Sequence, residues 1–196
     1  MPKSIAIIGK GPSVLRCTKD FIDSFDEVAG CGRPVFKGYE KYVGDRLHYH
    51  FANKTGTPYT KEEEIKLGIK EKICTAKDSS IRNNFRYNDL DPSTGILAFD
   101  FFLKKAEYTK IALIGFDLFQ QGEKMYYFKN EEFDPAVNWL WGIGTYDKEG
   151  RLTEKSLHDI DDTYEYLNAM FDSHDDRQFY IFSSYPFIEK ENLKVL

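Results

Sequence analysis

Apolar residues along this chain fall into short bursts separated by stretches of helical spacing. Strand-like bursts cover Ser4–Ile8, Glu27–Gly30, Leu47–Ala52, Lys72–Thr75 and Lys110–Ile114, with Gln178–Phe182 as the expected last strand. The run "KIALI" at 110–114 has no polar alternation after its lysine, the pattern of a central strand covered on both faces. Between the bursts, Val14–Phe21, Lys61–Leu67, Thr94–Ala106 and Leu157–Phe171 repeat apolar residues at helical intervals. Strands alternating with helices predict an α/β fold: one Rossmann-like domain over 1–196, with a mostly parallel twisted sheet and helices on both faces. Residues 120–155, rich in glycine and aromatics without a period, break this rhythm and read as a lid or acceptor loop. Its Trp139 and Trp141 fit a ligand-facing lid or a satellite core equally well.

Composition narrows the reading only a little. The 196 residues suffice for one core, and 41% apolar with 30% charged residues is ordinary globular usage. A net charge of −5 supplies no basic field for nucleic acid. Cys17, Cys31 and Cys74 are odd in number and widely spaced, so free thiols and a cytoplasmic setting are expected. No apolar run is long enough to span a membrane, which leaves peripheral association open, and the oligomeric state is not legible.

Two turns carry candidate chemistry. Gly9-Lys10-Gly11-Pro12-Ser13 follows the first strand, but it lacks the third glycine of the dinucleotide fingerprint and the spacing of a Walker loop. The second is Ser93-Thr94-Gly95, ahead of a helix whose first amides are free to meet an anion. A plain helix cap needs only one of those hydroxyls. "GFD" (Gly115–Asp117) ends the central strand. In open α/β sheets, ligands sit beyond the carboxyl ends of strands, so the loop and this turn could line one crevice.

"GKGPS" followed by "PSTGILAFDFFLKKAEYTKIALIGFDLFQQG" resembles the sialyltransferases, both the bacterial enzymes and the animal family with its "PSTG" motif. The resemblance covers the first loop, most of 91–122 and, more loosely, 155–172. It implies a GT-A-like variant of the Rossmann fold and transfer of sialic acid, or a related sugar, from a CMP-activated donor to a glycan hydroxyl by inversion. It implies no metal and no cofactor beyond the donor. Gly9, Lys10, Gly11, Pro12, Ser13, Asn53, Ser93, Thr94, Gly95 and Asp117 would then hold the cytidine monophosphate. Tyr126 or Tyr127 would bind the leaving phosphate, because Phe119 stands where a bacterial relative has that tyrosine. His158 in "SLHDIDD" would be the general base, the role a pKa near ~6.5 suits.

The chain departs from the family at Lys10, where asparagine is usual, and at Gly30–Pro34, which lacks an expected asparagine. Two alternatives follow: a transferase for another nucleotide sugar, with Lys10 balancing added phosphate charge, or a degenerate nucleotide-binding domain acting through a partner. Asp89-Leu90-Asp91 and Asp159-Ile160-Asp161 also match the DxD of metal-dependent glycosyltransferases, a minor branch. His48, His50 and His174 form no convincing metal set, and the strand spacing of the first two points to a sheet surface.

Overall fold

The computed structural model describes residues 1–32, 34–53, 59–77, 79–87, 90–118, 126–128 and 159–196. Among them, seven strands form one sheet: β1 (Lys3–Ile8), β2 (Glu27–Cys31), β3 (Tyr49–Ala52), β4 (Glu71–Cys74), β5 (Tyr108–Ile114), β6 (Gln178–Phe182) and β7 (Leu193–Val195). Their order is β4-β3-β2-β1-β5-β6-β7, and every pairing is parallel. The order switches direction between β1 and β5: the chain leaves β1 toward β2 and leaves β5 the opposite way, toward β6. That switch point is where such sheets open a crevice at their carboxyl ends.

Strand alternation sorts the core into two layers. Ile5 and Ile7 of β1 face α5 (Thr94–Leu103) and α6 (Ile160–Ser173), whereas Ala6 and Ile8 face the side holding Val14, Ile22 and Leu47. Helix α5 is apolar around most of its circumference and buries Ile96, Leu97, Phe99, Phe102 and Leu103 across β1, β2, β3 and β5. Each buried phenylalanine contributes about 2–3 kcal/mol of transfer free energy, so packing rather than amphipathic patterning fixes this helix.

Some expectations are corrected. The helix expected over Val14–Phe21 is a 3-10 turn, Pro12–Arg16, followed by a separate helix α1, Lys19–Asp23. Thr18 divides them: its backbone is extended, and its hydroxyl accepts the Phe21 amide as an N-cap. Gln178–Phe182 is not the last strand, because β7 adds to the sheet edge. The short helices α2 (Glu40–Val43) and α4 (Ser80–Asn84) were not anticipated, whereas α3 (Lys61–Leu67) matches its expected range and carries a full capping box from Thr60 and Glu63. The three cysteines are free thiols. Among the described residues, no helix is long and apolar enough to cross a membrane.

Candidate functional site

Parallel pairing sets a row of residues along the carboxyl edge: Thr75 after β4, Asn53 after β3, Gly32 after β2, Lys10 after β1, Gly115 after β5 and Ser183 after β6. Most of the sequence-predicted site lies in or beside this row.

The first loop is fastened to the neighbouring strand ends by its own backbone. The Gly9 amide donates to the Ile114 carbonyl at 2.7 Å, and the Gly11 amide to the Gly115 carbonyl at 3.0 Å. A Cβ on Gly9 would stand 2.6 Å from the Gly115 oxygen, and one on Gly11 would stand 2.2 Å from Asp117 Oδ2. Gly115 itself has φ +76°, and its Cβ would meet Val14 at 2.4 Å. These glycines exist for backbone-to-backbone approach at the switch point.

Ser13 and Asp117 complete the fastening. The Ser13 amide donates to Asp117 Oδ2 at 2.9 Å, and its hydroxyl donates to the Phe182 carbonyl at 2.8 Å. Asp117 Oδ1 accepts the Ser184 amide at 2.6 Å. A buried carboxylate thus ties the loop to β5 and β6. Arg16 adds a guanidinium bond to the Ser183 carbonyl.

On the opposite face of the sheet, Ser93 caps α5 by accepting the Ile96 amide on its hydroxyl. The amides of Thr94 and Gly95 precede any intrahelical acceptor, and among the described residues they have none. A Cβ on Gly95 would lie 3.0 Å from the Phe116 ring, so this turn abuts the same strand end that holds the glycine loop. Asn53 joins it: the Thr94 hydroxyl donates to Asn53 Oδ1 at 3.3 Å. Asp91, just before the turn, pairs with Arg82 at 2.5 Å, which offsets its charge beside the free helix amides.

Lys10 runs alongside Gly32, whose added Cβ would sit 3.1 Å from the ammonium, and places its charge 4.4 Å over the Tyr126 ring. The absence of a side chain at Gly32 makes this room. Desolvation lowers the Lys10 ammonium from 10.5 to about 8, while the adjacent Cys31 thiol is pushed up to about 12 and stays neutral. An unfolded chain keeps that lysine protonated up to its ordinary pKa. Between pH 8 and 10.5 the unfolded chain therefore binds the extra proton, and folding stability rises with pH. Urea denaturation at pH 7 and pH 9.5 should show wild type gaining stability relative to Lys10→Met across that interval; equal changes in both would refute the burial of this charge.

The two candidate tyrosines differ. Tyr127 donates its hydroxyl to the Val35 carbonyl and accepts the Val35 amide, both at 2.8 Å, while its own amide donates to the Lys10 carbonyl. Burial holds its phenol well above the ordinary range. Its hydroxyl is therefore committed to backbone, whereas Tyr126 lies stacked on Phe128 with its ring against Lys10. His158, Phe119, Asp89, Trp139 and Trp141 lie outside the described residues, as does most of 120–155. Asp159 is the N-cap of α6 and accepts the amides of Asp161 and Asp162. His48 accepts the Val28 amide on Nδ1, and His50 donates from Nε2 to the Gly32 carbonyl, so both rings serve the sheet. Burial lowers the pKa of each.

A solved structure shares this arrangement of strands and helices. The Campylobacter jejuni sialyltransferase CstII, in complex with the substrate analogue CMP-3FNeuAc, superposes with a TM-score of 0.55 at 14% identity, covering 92% of this chain and 81% of that one. The fold is that of CstII. A mammalian sialyltransferase gives a TM-score of 0.48 at 16% identity, over 91% of this chain and 68% of that chain. The MAf glycosyltransferase from Magnetospirillum magneticum AMB-1 gives 0.48 at 14% identity, covering all of this chain and 34% of that one. No protein-family model matches the chain, and no curated protein matches its sequence.

With the CstII-like fold in view, sequence reasoning missed Thr75 and Gly32. Thr75 is fully buried and donates to Asn53 Oδ1 at 2.9 Å. Its signal was positional, since it follows β4 just as Asn53 follows β3.

Proposed function

We propose that this chain is a glycosyltransferase of the sialyltransferase type, moving sialic acid or a related sugar from a CMP-activated donor to a glycan hydroxyl by inversion. One observation carries the reading: the uncommitted amides of Thr94 and Gly95 open beside Asn53 on the rim that also holds the glycine loop, in a CstII-like fold. Those amides and the α5 dipole would accept the departing phosphate, a form of electrostatic preorganisation. Tyr126 would stand by the phosphate, and His158 would take the acceptor proton. Arg82 offsets Asp91, which supports phosphate binding at this turn without a bridging cation.

Millimolar CMP should raise the melting temperature of the purified protein, and CMP-sialic acid should be slowly hydrolysed by it. If neither CMP nor its sugar conjugate changes the melting temperature, the reading is wrong. The position of Lys10 favours a second reading, a donor with more phosphate charge. A panel of UDP-, GDP- and CMP-sugars, with and without Mn²⁺, separates the two.

A further inference from the structure

The carboxamide of Asn53 can face a ligand in two ways, offering either its oxygen or its NH2 group. In this structure the oxygen faces inward, against two threonine hydroxyls. Thr75 Oγ1 donates to Asn53 Oδ1 at 2.9 Å, Thr94 Oγ1 reaches the same oxygen at 3.3 Å, and the two hydroxyls are 3.4 Å apart. An amide oxygen only accepts, so both hydroxyl protons are directed toward this cluster. With Oδ1 engaged, the NH2 group lies on the opposite side of the planar amide. It has no partner among the described residues.

Thr75 is the fixed member. It is wholly buried, its amide donates to the Ala52 carbonyl, and its carbonyl accepts Arg82 Nε. Asn53, by contrast, is exposed at the rim, and nothing on its own strand determines which end of its carboxamide faces out. We infer that Thr75 is a positioning residue that holds the Asn53 carboxamide with its NH2 toward the bound nucleotide, so that this subsite reads a hydrogen-bond acceptor on the ligand. The chemical class follows: a carbonyl, ribose or phosphate oxygen is favoured there, and a group that only donates is rejected. This inference rests on the nucleotide-sugar reading for the identity of the ligand, but the orientation of the amide does not.

The test uses Thr75→Val, which keeps the shape and removes the hydroxyl, and Thr75→Ser, which keeps the hydroxyl. CMP binding by calorimetry should weaken about tenfold in Thr75→Val, the ~1.4 kcal/mol of one well-placed hydrogen bond, and stay within about twofold in Thr75→Ser. Placed on Asn53→Ala, Thr75→Val should cost nothing further, because the residue it positions is gone. An equal loss on both backgrounds would mean that Thr75 supports only the fold, and it overturns the inference. The side-chain NH2 resonances of Asn53, identified by their absence in Asn53→Asp, give a reading without ligand. They should be distinct in wild type and Thr75→Ser and shifted in Thr75→Val. Unchanged resonances in Thr75→Val also overturn the inference. A protein that shows the expected shift yet binds no CMP supports the positioning role and refutes the nucleotide reading.

Discussion

Replacing Asp117 by alanine should cost about 3–5 kcal/mol and abolish nucleotide binding together with the fastening of the first loop. Two amides, the buried one of Ser13 and that of Ser184 at the surface, donate to this carboxylate at 2.9 and 2.6 Å. Charge-assisted bonds of this kind each contribute about 1.5–3 kcal/mol, and the alanine variant takes the acceptor from both donors, of which the Ser13 amide is shielded from water. Asp117→Asn should fall between alanine and wild type, since its single oxygen can serve one amide while its NH2 opposes the other. Urea denaturation gives the stability, and CMP calorimetry on the folded fraction gives the site. If Asp117→Ala unfolds at the wild-type urea midpoint, the fastening described here is not what holds the loop.

His158→Ala should lower sugar transfer by about 10²–10⁴-fold while CMP affinity stays within about twofold, the signature of a proton acceptor that does not touch the nucleotide. The described chain resumes at Asp159, which caps α6. A helix that returns from the carboxyl end of β5 to the start of β6 has its first turn toward the carboxyl edge of the sheet, on the face that α5 also covers. Transfer and donor hydrolysis should be measured separately: general-base catalysis predicts that both fall, with KM for the donor little changed. Retained transfer would remove His158 from the mechanism.

The sheet was legible because its strands are short, apolar and bounded by turn residues, and "KIALI" could hardly be anything but a buried strand. Helix α5 was legible through Ser93 and the apolar run after it, with an end set a little early by Lys104. The helix over Val14–Phe21 failed because Thr18 and Pro12 impose local caps that periodicity does not weigh. In the site, the glycine loop and the Ser93–Gly95 turn are sequence motifs and were found as such. Their partners were not. Asp117 reads as a ligand residue from the motif alone, yet its oxygens meet two amides brought from distant parts of the chain. Thr75 is one unremarkable threonine until strand register sets it beside Asn53, and register depends on the whole sheet.

Ser13, Asp117 and Arg16 cross-link three strand ends before any substrate arrives. A segment already held in place gives up little freedom when a small molecule docks on it. Association at this wall is then a simple collision limited by diffusion and charge, with no preceding rearrangement of the Gly9–Ser13 backbone to slow it.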